Sequence, residues 1–206
     1  MPNSMTESYI NSIRLLDIVH GTSVDGPGLR TSIYGAGCAH HCLGCHNPQS
    51  WDPAGGVLRS IDEVAEEVLA EELDVTFSGG DPMFQPEAFA QLAKIIRNHS
   101  THDIWCYTGY RVEQLLTDSR RRALLEQVDV LVDGPFVQGQ RDLSLLFRGS
   151  SNQRLIDVPA TLALQQVVLY KLVDVTYEYV AKPRQALLSS SQTKAPAFSL
   201  QENRAS

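Results

Sequence analysis

Apolar residues fall in short runs separated by polar, turn-forming stretches, and the spacing within the runs switches between two periods. Ile13 to Val19 and Leu29 to Tyr34 are short, apolar and partly β-branched, and the turn-rich HGTSVDGPG lies between them, which predicts a hairpin or two adjacent strands. From Ser60 to Glu72 the period lengthens. Apolar residues at 61, 64, 65, 68 and 69 mark one face of a helix, and Ser60 followed by Glu63 predicts a capping box at its start. DVTF from Asp74 predicts a strand, and Pro86 to Arg97 a second amphipathic helix with proline in its first turn. DIWCYTGY from Asp103 predicts a strand running into a loop. Arg111 to Gln127 is helical in composition, and Asp129 to Val132 is a further short strand ending at DGP.

Strand and helix thus alternate along the middle of the chain, which predicts an α/β fold with a parallel sheet and crossover helices. In such sheets chemistry collects at the carboxyl ends of the strands, so SGGD, YTG and DGPF become the loops of interest. No internal repeat stands out beyond this alternation. Gln165 to Val180, rich in Val and Tyr, reads as one or two late strands, although spacing alone leaves a helix open. From Lys182 the chain turns polar and serine-rich. The expected organisation is a core domain over 1–181 and a disordered tail over 182–206.

Composition adds one constraint. A chain of 206 residues with 43% hydrophobic and 20% charged residues buries about 70% of its unfolded surface and needs no covalent staple. Its four cysteines therefore call for a reason other than disulfide bonding. The net charge of -7, with no basic stripe, argues against a nucleic-acid partner. The first residues, MPNSMTESYI, lack a positive segment followed by an apolar run, and no run of about 18 apolar residues occurs, so a cytoplasmic protein without a membrane partner is expected.

Three of the cysteines, Cys38, Cys42 and Cys45, fall within eight residues in the spacing C-x3-C-x2-C, directly after a predicted strand. Three thiolate ligands suit a four-iron cluster with one iron left open. An electron-carrying cluster normally has every iron held by cysteine. Structural zinc stays open as the other reading, because His40, His41 or His46 would complete a Cys3His set. A redox disulfide would leave one thiol over. Cys106, within IWCY, reads as a small buried hydrophobe.

These residues carry a resemblance. CAHHCLGCHNPQSW resembles the cluster loop of the radical S-adenosylmethionine enzymes, and VDGPGLR, from Val24 to Arg30, resembles the segment that precedes that loop in activases that install glycyl radicals. FSGGDP (Phe77 to Pro82), YTGY (Tyr107 to Tyr110), DVLVDGPF (Asp129 to Phe136) and RDLSLLFRGSSNQR (ending at Arg154) are similar to the activators of anaerobic, class III ribonucleotide reductase. The resemblance spans about Ile13 to Val158. Gly44 stands where the wider superfamily commonly has an aromatic residue, and Gly79, Gly80 and Asp81 replace its Gly-Gly-Glu. Both departures favour the reductase activators over the pyruvate formate-lyase activator, although the activase of another glycyl-radical enzyme stays open. The stretch between Cys45 and Ser60 lacks the extra cysteines of activases with ferredoxin-like inserts.

The resemblance implies an incomplete, open βα barrel of mostly parallel strands. It implies a [4Fe-4S] cluster on Cys38, Cys42 and Cys45, with S-adenosylmethionine chelating the fourth iron. Cofactor contacts would come from Gly44, Cys45, His46, Ser78, Gly79, Gly80, Asp81, Thr108, Gly109 and Asp133, with Asp81 accepting from the cofactor's ammonium group. An ordinary βα turn is the other reading of SGGD, and Asp133 equally suits the cap of a turn. The block from Arg141 to Arg154 would serve the partner, the cofactor carboxylate or solvent. The implied reaction is one-electron cleavage of the cofactor and hydrogen abstraction from a glycine of the reductase catalytic subunit, with a flavodoxin or ferredoxin as reductant.

Overall fold

A computed structural model of the chain describes residues 11–172. Its spine is a seven-stranded open sheet in the order β3-β1-β2-β4-β5-β6-β7. The strands are β1 (Ser12–Thr22), β2 (Arg30–Gly35), β3 (Val57–Ser60), β4 (Asp74–Gly79), β5 (Ile104–Tyr107), β6 (Val130–Asp133) and β7 (Arg154–Asp157). The helices are α1 (Ile61–Ala70), α2 (Pro86–His99), α3 (Val112–Thr117), α4 (Ser119–Leu125) and α5 (Val158–Leu164).

The expected neighbours β1 and β2 pair antiparallel, with Ile18 opposite Ile33. Parallel pairing is confined to the centre, where β2, β4, β5 and β6 follow one another with α1 to α4 in their connections. The outer pairs β1 with β3, β1 with β2, and β6 with β7 are antiparallel, so the expectation of mostly parallel strands holds only for the middle of the sheet. The sheet does not close on itself: β3 and β7 remain at opposite edges. Edge strands β3 and β7 and helix α5 are additions to the pattern read from the sequence. Each is only four to seven residues long, too short for periodicity to stand out.

Alternation along the strands gives the sheet two unlike faces. Ile33, Val75, Phe77, Ile104, Cys106 and Leu131 join Val64, Val68, Phe89, Leu92 and Leu125 of the helices in the main core. Phe77 and Phe89 meet there with ring centroids 5.0 Å apart. The opposite face carries Ser32, Tyr34, Thr76 and Ser78 on its central strands, and Trp105, Val130 and Val132 further along, where Phe147 and Tyr170 cover them. A fully buried arginine marks the amino end of this face. Arg30 donates from Nε to Thr76 Oγ1 at 2.7 Å and from Nη2 to the Val75 carbonyl at 2.6 Å, pairs with Asp103, and lies 5.5 Å over the Trp105 ring.

Two local expectations are corrected. Ser60 begins α1, but its side chain makes no capping bond, so the capping box is not formed. Arg111 to Gln127 is two helices, because Asp118 takes an extended backbone and its carboxylate caps α4, accepting from the Arg120 and Arg121 amides at 3.0 and 3.2 Å. Of the late strand expected over Gln165 to Val180, the described part holds a single bridge from Leu169 to Ile156. Residues 173–180 and the tail expected over 182–206 lie outside the described residues. No described helix is long and apolar enough to cross a membrane.

Candidate functional site

The carboxyl ends of β2, β4, β5 and β6 open on one cavity of about 740 Å³, on the face of the sheet away from the helices. The loop after β2 supplies Cys38, His40, Cys42, Cys45 and His46 to its wall. Ser78, Gly79 and Gly80 come from the end of β4, Thr108 and Gly109 from the loop after β5, and Gly134 and Phe136 from the loop after β6.

Backbone bonds fasten the cysteine loop to the loop after β4. Gly37 donates to the Ser50 carbonyl at 2.8 Å and Cys38 to that of Trp51 at 3.2 Å, which closes the base of the loop. Gly80 donates to Gly35 at 2.8 Å and Asp81 to Gly37 at 2.9 Å, while the Ser50 hydroxyl reaches the Gly79 carbonyl at 3.2 Å. Only glycine fits at 79. Its φ is +99°, and a Cβ there would lie 2.5 Å from the Gly35 nitrogen.

All three clustered thiols are half-buried on this wall, and each faces backbone N–H groups. The amides of His40 and His41 lie toward Cys38 and that of Phe136 toward Cys42, while Cys45 accepts from the Asn47 amide at 3.4 Å. Burial raises the Cys38 and Cys42 thiols above the ordinary range, and the amide donors oppose this in part. Hydrogen bonds to sulfur are one of the ways a protein tunes an iron-sulfur cluster. Among the described residues, no three His, Cys, Asp or Glu side chains converge closely enough to hold a single metal ion. Thiols spread around a cavity suit a polynuclear cluster, in which each iron takes its own thiolate. The three histidines near the thiols have other neighbours. His40 lies 2.9 Å from Asp81, His41 stacks on Trp51 at 4.9 Å, and His46 rests 5.5 Å from the Phe136 ring.

Of the expected contact residues, Cys45, His46, Ser78, Gly79, Gly80, Thr108 and Gly109 line the cavity. Three do not. Gly44 is turned away toward the Gln138 side chain. Asp81 is 2% exposed, and its carboxylate faces inward: Oδ1 accepts from the Met83 amide at 2.9 Å, and Oδ2 from the Thr108 hydroxyl and Gly109 amide at 3.0 Å each. It caps the short turn Pro82–Phe84 and ties two wall loops together. Asp133 is fully buried and accepts from the Val112 amide at 2.9 Å, from Arg111 Nη1 at 3.3 Å, and from Arg154.

That ion pair explains part of the polar block. Arg154 joins Asp133 to Glu113, Asn152 donates to the Pro135 carbonyl at 2.8 Å, and Gln153 donates to that of Gly134 at 3.0 Å. Ser150 Oγ accepts from the Val137 amide at 3.1 Å. Residues 150–154 therefore clasp the loop whose Phe136 amide faces Cys42.

Sequence reasoning missed a third wall. Asp17, Asp25 and Tyr34 line the cavity from β1, the β1–β2 loop and β2. Asp25 Oδ2 accepts from Ser32 Oγ at 2.8 Å and Tyr34 Oη at 2.6 Å. Burial, and then the Asp25 carboxylate, push the Tyr34 phenol up to about 12. Asp25 stands within VDGPGLR, and strand alternation sets Ser32 and Tyr34 on one face; these were the available signals. Among the described residues, the wall carries Asp17 and Asp25 but no lysine or arginine.

The family model of the 4Fe-4S single cluster domain matches residues 24–156. The anaerobic ribonucleoside-triphosphate reductase-activating protein of Haemophilus influenzae is 38% identical over 141 residues, covering 63% of this chain and 88% of that protein. Its counterpart from Vibrio cholerae gives the same identity and coverage. Among solved structures, QueE from Escherichia coli aligns with a TM-score of 0.40 and 13% identity over 64% of this chain and 75% of that one, too loose a likeness to bear on the fold. The chain belongs to the 4Fe-4S single cluster domain family and, within it, to the anaerobic ribonucleoside-triphosphate reductase-activating proteins.

Proposed function

We propose that this chain is the iron-sulfur, S-adenosylmethionine-dependent activase of an anaerobic ribonucleotide reductase. The reading rests above all on Cys38, Cys42 and Cys45 lining the same cavity as the glycine-rich loops after β4 and β5. Those three thiolates would hold a [4Fe-4S] cluster with one iron free of protein ligand. A bound, reduced cluster would supply one electron for cleaving the cofactor's sulfonium bond to methionine and a 5′-deoxyadenosyl radical, which would take hydrogen from a glycine of the reductase catalytic subunit.

The residues of the chain bind, orient and exclude water. Ser78, Gly79 and Gly80 present backbone at a strand end, where a cofactor's amino-acid portion approaches closely. His46, Thr108 and Gly109 offer a surface for the adenosine. The two carboxylates on the wall, with no cationic side chain among the described residues there, suit a ligand bearing a sulfonium and an ammonium group. Asp81 and Asp133 act behind the wall, holding its loops in place. Residues from β1 to the loop after β6 line the cavity and would leave less room for water around a reactive carbon radical. A flavodoxin or ferredoxin is the reductant that fits this chemistry.

The test is to incubate the reduced, cluster-loaded chain anaerobically with S-adenosylmethionine and the reductase catalytic subunit. A glycyl signal in electron paramagnetic resonance is expected on the reductase. Its appearance on pyruvate formate-lyase instead would move the chain to another activase class.

A further inference from the structure

His40 sits between Cys38 and Cys42, yet its ring crosses to the loop after β5. Nε2 stands 2.9 Å from Asp81 Oδ2, and the ring meets Tyr110 edge-on with centroids 4.6 Å apart. The approach to Asp81 is close but off the line of a ring N–H, since Nε2 has no aligned hydrogen-bond partner. The contact is thus one of close packing. Gly109 makes room for it, because a Cβ there would lie 2.3 Å from the imidazole Cδ2. The same Asp81 oxygen holds the Thr108 hydroxyl and the Gly109 amide, so one buried carboxylate oxygen touches both the cysteine loop and the loop after β5.

We propose that His40 is a positioning residue which, through Asp81 and against Gly109, latches the cluster-binding loop to the cofactor-facing loop after β5. The proposal rests on the activase reading and adds to it a residue that is neither a ligand nor a cofactor contact. The base of the cysteine loop is fastened through Gly37 and Cys38, and Phe136 faces it at Cys42. His40 supplies the tie on the third side. Without it the three thiols remain, but the loop bearing them is free to shift against Thr108 and Gly109. Groups that orient metal ligands from behind typically change affinity or activity about 10- to 100-fold when removed.

The test uses the full chain, reconstituted anaerobically with iron and sulfide. S-adenosylmethionine is titrated against the paramagnetic resonance spectrum of the reduced cluster. His40→Ala should keep its iron and sulfide content while the cofactor binds roughly tenfold more weakly. His40→Gln, whose amide nitrogen can take the place of Nε2, should recover most of the loss. Gly109→Ala should weaken binding similarly by displacing the ring, and the double variant should be no worse than either single one. The proposal is overturned if His40→Ala titrates like wild type, or if the two losses multiply in the double variant. Should His40→Ala take up no cluster, the milder His40→Asn, too short to reach Asp81, decides: wild-type titration there overturns the proposal, and weakened binding with full iron content upholds it. A wild-type chain whose cluster does not respond to the cofactor would overturn the activase reading as well, which separates the two failures.

Discussion

Arg154 closes on Asp133 through both Nε and Nη2, at 3.0 and 2.5 Å, and the carboxylate it grips is fully buried at the end of β6. The pair joins β7 to the loop that carries Gly134 and Phe136 onto the cavity wall. Removing Arg154 leaves the buried Asp133 charge with only Arg111 and the Val112 amide, which costs about 3 kcal/mol. Arg154→Met is therefore expected to lower the melting temperature by roughly 10 °C and to reduce cluster uptake, measured by calorimetry and iron analysis. A melting temperature within about 2 °C of wild type would contradict this role for the pair.

The surface half of the same network has a small pH signature. Hydrogen bonding from Arg154 holds the Glu113 carboxyl below its usual value. A depressed folded value means the contribution is complete above the unfolded value and fades as pH falls through the folded one. Because Glu113 is about half exposed, screening limits the effect to less than about 1 kcal/mol. Glu113→Gln should narrow the stability difference between pH 7 and pH 3 by that amount in urea titrations.

Tyr34 titrates in the opposite sense. Its phenol is raised from 10.0 to about 12 by burial and by Asp25, so its contribution is complete below about 10 and is lost as pH rises toward 12. The wild-type chain should lose stability over that window. Tyr34→Phe should flatten the slope, and ultraviolet difference titration of wild type against Tyr34→Phe should place one phenol near 12. A transition near 10 would remove Asp25 and burial as the cause.

The gathering of three thiols and two glycine-rich loops at one end of the sheet was legible in the chain because it depends on spacing: three thiols after a strand, and glycines at the ends of β4 and β5. The direction of carboxylates was not legible. Asp81 and Asp133 both follow apolar strands and precede turn residues, a context that suits either a ligand contact or an inward cap. The outcome was set by partners distant in sequence, Thr108 and Gly109 for one, Arg154 for the other. Asp25 and Tyr34 reach the wall through antiparallel pairing of β1 with β2, which the hairpin pattern predicted without saying what its loop would cover. Ser60 and Glu63 had the spacing of a capping box, yet Ser60 makes no such bond, because a spacing sets only what is within reach.

Gly79 and the fourth cysteine give two further contrasts. Gly79→Ala forces a side chain into a left-handed backbone and against Gly35, a strain of about 1–3 kcal/mol before any clash relaxes. A lower melting temperature and weaker cofactor binding are expected together. Cys106 is fully buried, and burial raises its thiol well above the ordinary range. In the native, cluster-free chain a thiol reagent should modify three cysteines rapidly, and Cys106 only on unfolding. Rapid labelling of all four would place Cys106 outside the core.

The proposed activity depends on what three thiolates hold and what that group does. The direct measurement is iron, acid-labile sulfide and zinc in anaerobically reconstituted chain, with 5′-deoxyadenosine assayed after reduction and addition of S-adenosylmethionine. Iron and sulfide in equal amounts, with 5′-deoxyadenosine formed by wild type and not by Cys42→Ala, is the predicted result. One zinc per chain without sulfide, or a fully loaded cluster that leaves the cofactor intact, would contradict it.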